Sequence, residues 1–321
     1  MVDKGMAPIA SGLATDTVAK RRRLRRSRWE ALQRALKGIT HQLLILSKDR
    51  LGLAGMLIMG FFLLTAIFAP WLAPHDPMET LMRPDGTMAR MDPPSIAFPF
   101  GTDLMGRDIL SQVIIGSRVA LLVGILSAVM VVFIGTNVGL LSGYYGGKID
   151  DLLMRLTDIV YGVPFLPFAV ILVALLGPGL PNIILAIVLI TWRTTARVVR
   201  SQVLTLKQRA FIDAARVSGA GNMRVLYLHI APNVLPLSFV YGALSMGWAI
   251  LTEASISFLG YGDPLLMSWG KILFNAYVAQ AVTTAWWWVM APGLAIVLLV
   301  LSGFFISRAY EEIINPRLRE R

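Results

Sequence analysis

The sequence predicts an all-α, polytopic membrane protein with six transmembrane helices, and three observations predict it. The 321 residues are 56% hydrophobic and 15% charged, with a mean hydropathy of +0.66; soluble chains are about 45–50% apolar and about 25% charged. The apolar residues are gathered into runs, since 51–74, 119–147, 159–192, 225–252 and 272–307 contain no Asp, Glu, Lys or Arg. Each run exceeds the roughly 18–20 residues that mark a bilayer-spanning helix. Finally, the runs lack the alternation of barrel strands, which leaves the helix as the way to satisfy the backbone in lipid.

Taken in order, residues 1–42 are expected to be a basic extension, polar and disordered over 1–20, then carrying Lys20, Arg21, Arg22, Arg23, Arg25, Arg26 and Arg28. Leu32, Leu36 and Ile39 follow at helical spacing, so this stretch reads either as an interfacial helix on anionic lipid or as a solvated tail that sets topology. Residues 43–118 hold the first span, 51–72, and a loop whose Pro77, Pro84, Pro93, Pro94 and Pro99 predict irregular structure with at most one short helix. Residues 119–307 hold the other five spans. The second, 119–141, places Gly135, Gly139 and Gly143 on one face, where another helix can approach closely.

Residues 146–158 read as a charged connection, and the third span, 159–176, carries Pro164 and Pro167, which should kink or break it near its start. After a turn at 177–182, the fourth span begins at 183. Its uncharged part is too short to cross alone, so it must continue through Arg193, Arg197 and Arg200, which share a face and can snorkel to headgroups. The fifth covers 234–256, and the sixth, 286–307, is entered through Trp286, Trp287 and Trp288 at the interface. Residues 308–321 form a tail.

The charges orient this scheme. Six spans put both ends on one side, and 25 of the 30 Lys and Arg residues fall on that side, so the positive-inside rule makes the termini, the tail and the loop at 205–233 cytoplasmic. The net charge of +11 is then an orientation signal, and no nucleic-acid partner is expected. The absence of Cys excludes disulfides, thiolate zinc sites and cysteine nucleophiles, and His41, His75 and His229 make no HExxH. No metal site or bound cofactor is expected in this chain.

The cytoplasmic loop carries the functional signal. Asp213, Ala214, Ala215, Arg216, Ser218 and Gly219 read as a short helix with a small-residue face that lets another protein come close. Asn222 is placed to cap a second helix ending before Pro232. This segment resembles the EAA loop of binding-protein-dependent ABC importer permeases: Asp213-Ala214-Ala215, Gly219 and Pro232 keep the family's spacing, with Asp213 in place of Glu and Ala231 in place of Leu. Two further blocks, Phe100-Gly101-Thr102-Asp103 with Gly106-Arg107-Asp108, and Glu253 to Gly260 with Trp269-Gly270, resemble the C-type permease subunit of dipeptide/oligopeptide importers.

The resemblance implies the type I ABC importer permease fold, a bacterial inner-membrane location and half of a heterodimeric pore. It also implies three kinds of protein partner: a homologous second permease, two ATPase subunits and an extracytoplasmic peptide-binding protein, beside membrane lipids. ATP and Mg would be bound by the ATPase subunits. Neither Gly147-Lys148 nor Gly270-Lys271 has the flanking residues of a P-loop. Asp103, Arg107 and Asp108 are expected to brace the outer mouth through turn hydrogen bonds and an ion pair, and Glu253 either packs the fifth span or lines the substrate path. A DNA-binding regulator is disfavoured because 223–230 is apolar and leads into a span, and an intramembrane enzyme because Glu253 has no second carboxylate within the spans. The same architecture carrying a nickel chelate, glutathione or a sugar stays open as an alternative cargo.

Overall fold

The computed structural model describes residues 46–314, so the expectations for 1–42 and for 315–321 lie outside the described residues. From Arg50 onward the chain forms one compact unit. Its elements are α1 (Arg50–Ile67), α2 (Ala69–Leu72), α3 (Ile109–Tyr145), α4 (Gly147–Gly162), α5 (Phe165–Leu176), α6 (Leu180–Leu206), α7 (Ala210–Val217), α8 (Asn222–Tyr261), α9 (Trp269–Val278) and α10 (Trp286–Ile314).

Five of these, α1, α3, α6, α8 and α10, are long and apolar enough to cross a membrane, and α4 with α5 makes a sixth candidate bent by 89°. The bend falls at Val163-Pro164, where the residue before proline is extended. Of the kink or break expected near Pro164, the structure has the break. Residues 146–158, read as a connection, are most of helix α4. Its charges hid it from a search for apolar runs.

Helix ends outrun the apolar runs elsewhere too. Asp108 starts α3 by accepting from the Ser111 backbone at 3.0 Å and from its hydroxyl at 2.6 Å. The helix therefore begins ten residues before the predicted start at 119, and the predicted boundary between 118 and 119 falls inside it. Arg118 sits exposed on α3, so its charge ends the apolar run without ending the helix.

Likewise the helix that begins at Asn222 does not end before Pro232. α8 runs from Asn222 through Pro232 and Pro236, with a π-helical segment at Val225–Ile230. Proline removes a backbone donor and crowds the preceding turn, and the wider π turn lies directly ahead of it. Asn222 is not the cap, because Gly221 occupies that position and no side chain bonds there.

α3 and α6 are the tightest pair. A Cβ on Gly135 would lie 2.7 Å from the Thr195 Cβ, one on Gly139 would collide with the Ala196 carbonyl oxygen, and one on Gly143 would lie 2.7 Å from the Val203 Cβ. Three glycines on one face thus let two backbones meet over two turns of helix. α8 joins the same pair, with the Thr136 hydroxyl donating to the buried Ser238 hydroxyl at 2.9 Å. A cluster around Phe62, Trp269 and Trp288 forms the core at the opposite end.

The arginines of α6 find partners within the fold. Arg200 makes two 2.6 Å bonds to the Asp150 carboxylate, Arg197 pairs with Asp158, and Arg193 donates to the Val160 carbonyl at 2.9 Å. Arg193 and Arg197 also lie 4.6 and 4.0 Å from the Tyr161 ring centroid. All three therefore pin α4 across the α6 end of the bundle.

Candidate functional site

α7 stands at the bundle end formed by the last turns of α3 and α6 and the start of α8. One residue anchors it. Ile212 is buried among Leu140, Tyr144, Val203, Val225 and Leu226, while Asp213, Ala214, Val217 and Ser218 face outward. Val217 is 90% exposed, and Phe211 and Met223 are exposed as well. An amphipathic helix with one apolar anchor and an exposed small-residue face is held by the bundle yet offers its outer side to another surface.

The helix ends on Gly219, whose φ of +83° lies in the left-handed region. Closure comes from the Gly219 amide on the Arg216 carbonyl at 2.9 Å and the Ala220 amide on the Ala215 carbonyl at 3.0 Å. A Cβ at Gly219 would meet nothing within 4 Å, so glycine is needed here for its backbone conformation. Asp213 and Arg216 pair at 3.4 Å, with side chains 66% and 46% exposed, and a pair this open adds little stability.

Tyr144, which no motif marks, completes the mounting. The Tyr144 hydroxyl donates to Asn222 Oδ1 at 3.0 Å, and the Arg216 guanidinium lies 5.8 Å from the Tyr144 ring. Tyr144 follows Gly143 at the end of an uncharged run, and that position was the available signal. Pro232 lies ten residues into α8, while Asp213, Ala214, Ala215, Arg216, Ser218 and Gly219 form one continuous unit with α7.

At the opposite end, Asp103 and Asp108 shape turns. Asp103 accepts from the Met105 and Arg107 amides at 2.8 and 2.9 Å and from Gln112 Nε2 at 2.9 Å. Asp108 caps α3 and lies 3.6 Å from His75 Nδ1. The expected ion pair with Arg107 does not occur among the described residues; Arg83 pairs with Asp92 instead, at 2.5 and 3.0 Å. The loop is irregular, as its prolines predict, and two isolated bridges, Met82 with Met88 and Thr102 with Asp108, organise it.

Glu253 is buried in α8 and accepts from the Ser257 hydroxyl at 2.6 Å. No ion pair to it occurs among the described residues. Gly270 is a packing contact, because a Cβ there would collide with the Ala254 carbonyl oxygen. Among the described residues no group of three or more His, Cys, Asp or Glu could hold a metal ion.

A helical bundle with five helices long and apolar enough to cross a membrane, or six with the bent pair, and a small anchored helix exposed at one end is the architecture of a polytopic membrane protein. Residues 135–320 match the family described as binding-protein-dependent transport system inner membrane component, and 43–94 match the N-terminal transmembrane domain of oligopeptide transport permease C. The chain belongs to the binding-protein-dependent transport permease family. It is 38% identical to a dipeptide transport system permease protein of Alkalihalophilus pseudofirmus, over 85% of this chain and 88% of that one. Identity is 37% to a di/tripeptide transport system permease protein of Pseudomonas aeruginosa (83% and 88% covered) and 36% to an oligopeptide transport system permease protein of Haemophilus influenzae (85% and 86% covered). As a permease component of an ABC transporter the chain is not an enzyme, and members of the family work with a second permease, ATPase subunits and a binding protein.

Proposed function

We propose that this chain forms half of the translocation pathway for di- and oligopeptides in an ATP-driven importer, with α7 as its contact to the ATPase subunits. The observation that carries the coupling role is the mounting of α7, one buried anchor at Ile212 beneath an outward face of Asp213, Ala214, Val217 and Ser218. The peptide cargo rests on the relatives, whose names specify dipeptides, tripeptides and oligopeptides.

In this reading the α7 end, both termini and the pinned α4 face the cytoplasm, and the loop at 73–108 with α9 faces outward, as the distribution of basic residues favours. ATP and Mg are held by the partner ATPases. Closure of those subunits displaces α7, and the rigid seat of α7 on α3 and α8 tilts the spans, so that access alternates between the two sides. The test is ATP-dependent uptake of labelled di- and oligopeptides into proteoliposomes holding the assembled complex and its binding protein. Uptake of a nickel chelate, glutathione or a sugar with no peptide uptake would overturn the cargo.

A further inference from the structure

α1 and α10 come into backbone contact at Gly55, where a Cβ would lie 2.9 Å from both the Ser302 carbonyl oxygen and the Phe305 Cβ. Toward the loop end a groove of about 500 Å³ opens between these two helices and the start of α3. Its floor is buried, at Phe62, Val113 and Ala295, while Phe61, Met290 and Leu294 on its rim are exposed. Pro99 and Phe100 of the loop stand with Trp286 at its mouth.

The lining excludes a polar occupant. No charged side chain contributes to it, and the hydroxyls of its Thr65 and Ser117 are spent on their own helices, donating to the Phe61 and Ile114 carbonyls at 2.8 and 2.6 Å. A peptide, with charged termini and a polar backbone, would lose its hydration there without compensation. Length and volume narrow the occupant further. Along α10 the groove runs from Trp286 to Leu298, about 18 Å at 1.5 Å per residue, close to the roughly 15 Å of one leaflet of a hydrocarbon core. A helix of another subunit, 10–12 Å across, would take up roughly 1,400 Å³ or more over that length, far above the space present. Trp286, 59% exposed at the mouth, is a residue type that sits at headgroup level.

We propose that this groove binds one acyl chain of a membrane phospholipid, with the headgroup beside Trp286 and the chain end near Leu298. An unfilled groove forfeits dispersion contacts along its walls, and hydrocarbon is what a bilayer supplies to fill it. The bound chain wedges α1 against the bundle, extending the seat that begins at Gly55. The site does not depend on which side of the membrane the loop faces.

The test uses the complete transporter complex in nanodiscs of phosphatidylethanolamine and phosphatidylglycerol, doped with a phospholipid carrying a diazirine at the chain end or beside the acyl carbonyl. Labelled residues are mapped by mass spectrometry. The chain-end probe should label Leu294 and Leu298 about fivefold more than Leu64, an α1 residue that is 57% exposed and does not line the groove. The carbonyl-end probe should favour Trp286 and Phe100. Ala291→Phe, whose ring fills the groove, should cut the label on Leu294 and Leu298 by about fivefold, and Leu64→Phe should leave it unchanged. In detergent, added phospholipid should raise the unfolding temperature of the parent, as a ligand of the native state does, and Ala291→Phe should lose that rise.

Equal labelling of Leu64 and Leu294 would reduce the groove to bulk lipid contact and overturn the site. So would absence of label from Met290, Leu294 and Leu298 together, the result expected if the second permease covers this face. Should Ala291→Phe fail to assemble, the residue map of the unmutated complex decides by itself.

Discussion

The Tyr144 hydroxyl donates to Asn222 Oδ1 at 3.0 Å, tying the end of α3 to the first residue of α8. Since α7 sits between α6 and α8 in the chain and buries Ile212 beside Tyr144, this one bond closes the frame that holds α7. The Tyr144→Phe variant keeps the ring and loses the bond, at a cost of about 0.5–1.5 kcal/mol. The expected outcome is normal insertion with fewer cargo molecules moved per ATP, read from paired uptake and hydrolysis rates in proteoliposomes.

Gly219 tests backbone conformation against space. Its φ is +83° and a Cβ added there would have open space for 4 Å around it, so Gly219→Ala should cost about 1–2 kcal/mol through strain alone. Gly219→Asn, which tolerates the left-handed region, should cost less. If both uncouple ATP hydrolysis from uptake to the same degree, contact with the ATPase rather than helix termination sets the requirement. Normal peptide uptake with a bulky residue at this position would remove the coupling role from α7.

Gly139 tests close approach. A Cβ there would collide with the Ala196 carbonyl oxygen, so Gly139→Ala forces α3 and α6 apart at an expected cost of about 1–3 kcal/mol. Gly60 on α1 has nothing within 4 Å, and Gly60→Ala should leave stability unchanged or raise it by up to about 1 kcal/mol. Thermal unfolding of the two purified variants side by side gives the comparison.

Arg200 and Asp150 test the seating of α4. The pair is bidentate, with side chains 33% and 15% exposed, and Asp150 also accepts from the Ser142 hydroxyl. Arg200→Gln should cost about 1–2 kcal/mol and expose α4 to proteolysis on the α7 face of the bundle. A cleavage pattern identical to the parent would show that Arg193 and Arg197 suffice to hold α4.

Glu253 accepts from Ser257 inside the bundle, and glutamine can accept the same bond. Glu253→Gln is expected to preserve the unfolding temperature and the ranking of peptides in competition uptake assays. A changed ranking would place Glu253 on the substrate path.

The membrane passes were legible because uncharged runs of sufficient length have one dominant reading in lipid. Helix boundaries were not, because charge marks where lipid ends and not where the backbone stops coiling. Arg118 interrupts a run inside α3, and Asp150, Asp151 and Asp158 disguise α4 as a connection. Pro232 misled in the opposite direction, since a π segment keeps α8 helical through it.

At the site, the spacing from Asp213 to Gly219 identified α7, but its mounting depends on Ile212, Tyr144 and Asn222. Those contacts between elements distant in sequence leave no local pattern. The same reason explains the arginines of α6, whose partners across the fold could not be read from helical spacing.

The buried polar clasp of α8 on α3, Thr136 to Ser238, is not at the middle of the helix. At about 1.5 Å per residue, roughly 24 Å separate Ser238 from Asn222 and roughly 32 Å separate it from Leu259, the last residue before the break at Gly260, where φ is +87°. Under the proposed rocking, that clasp would give the far end about one and a third times the travel of the end beside α7. α8 would then act as a lever with unequal arms, turning a small displacement near α7 into a larger one at the opposite end of the bundle.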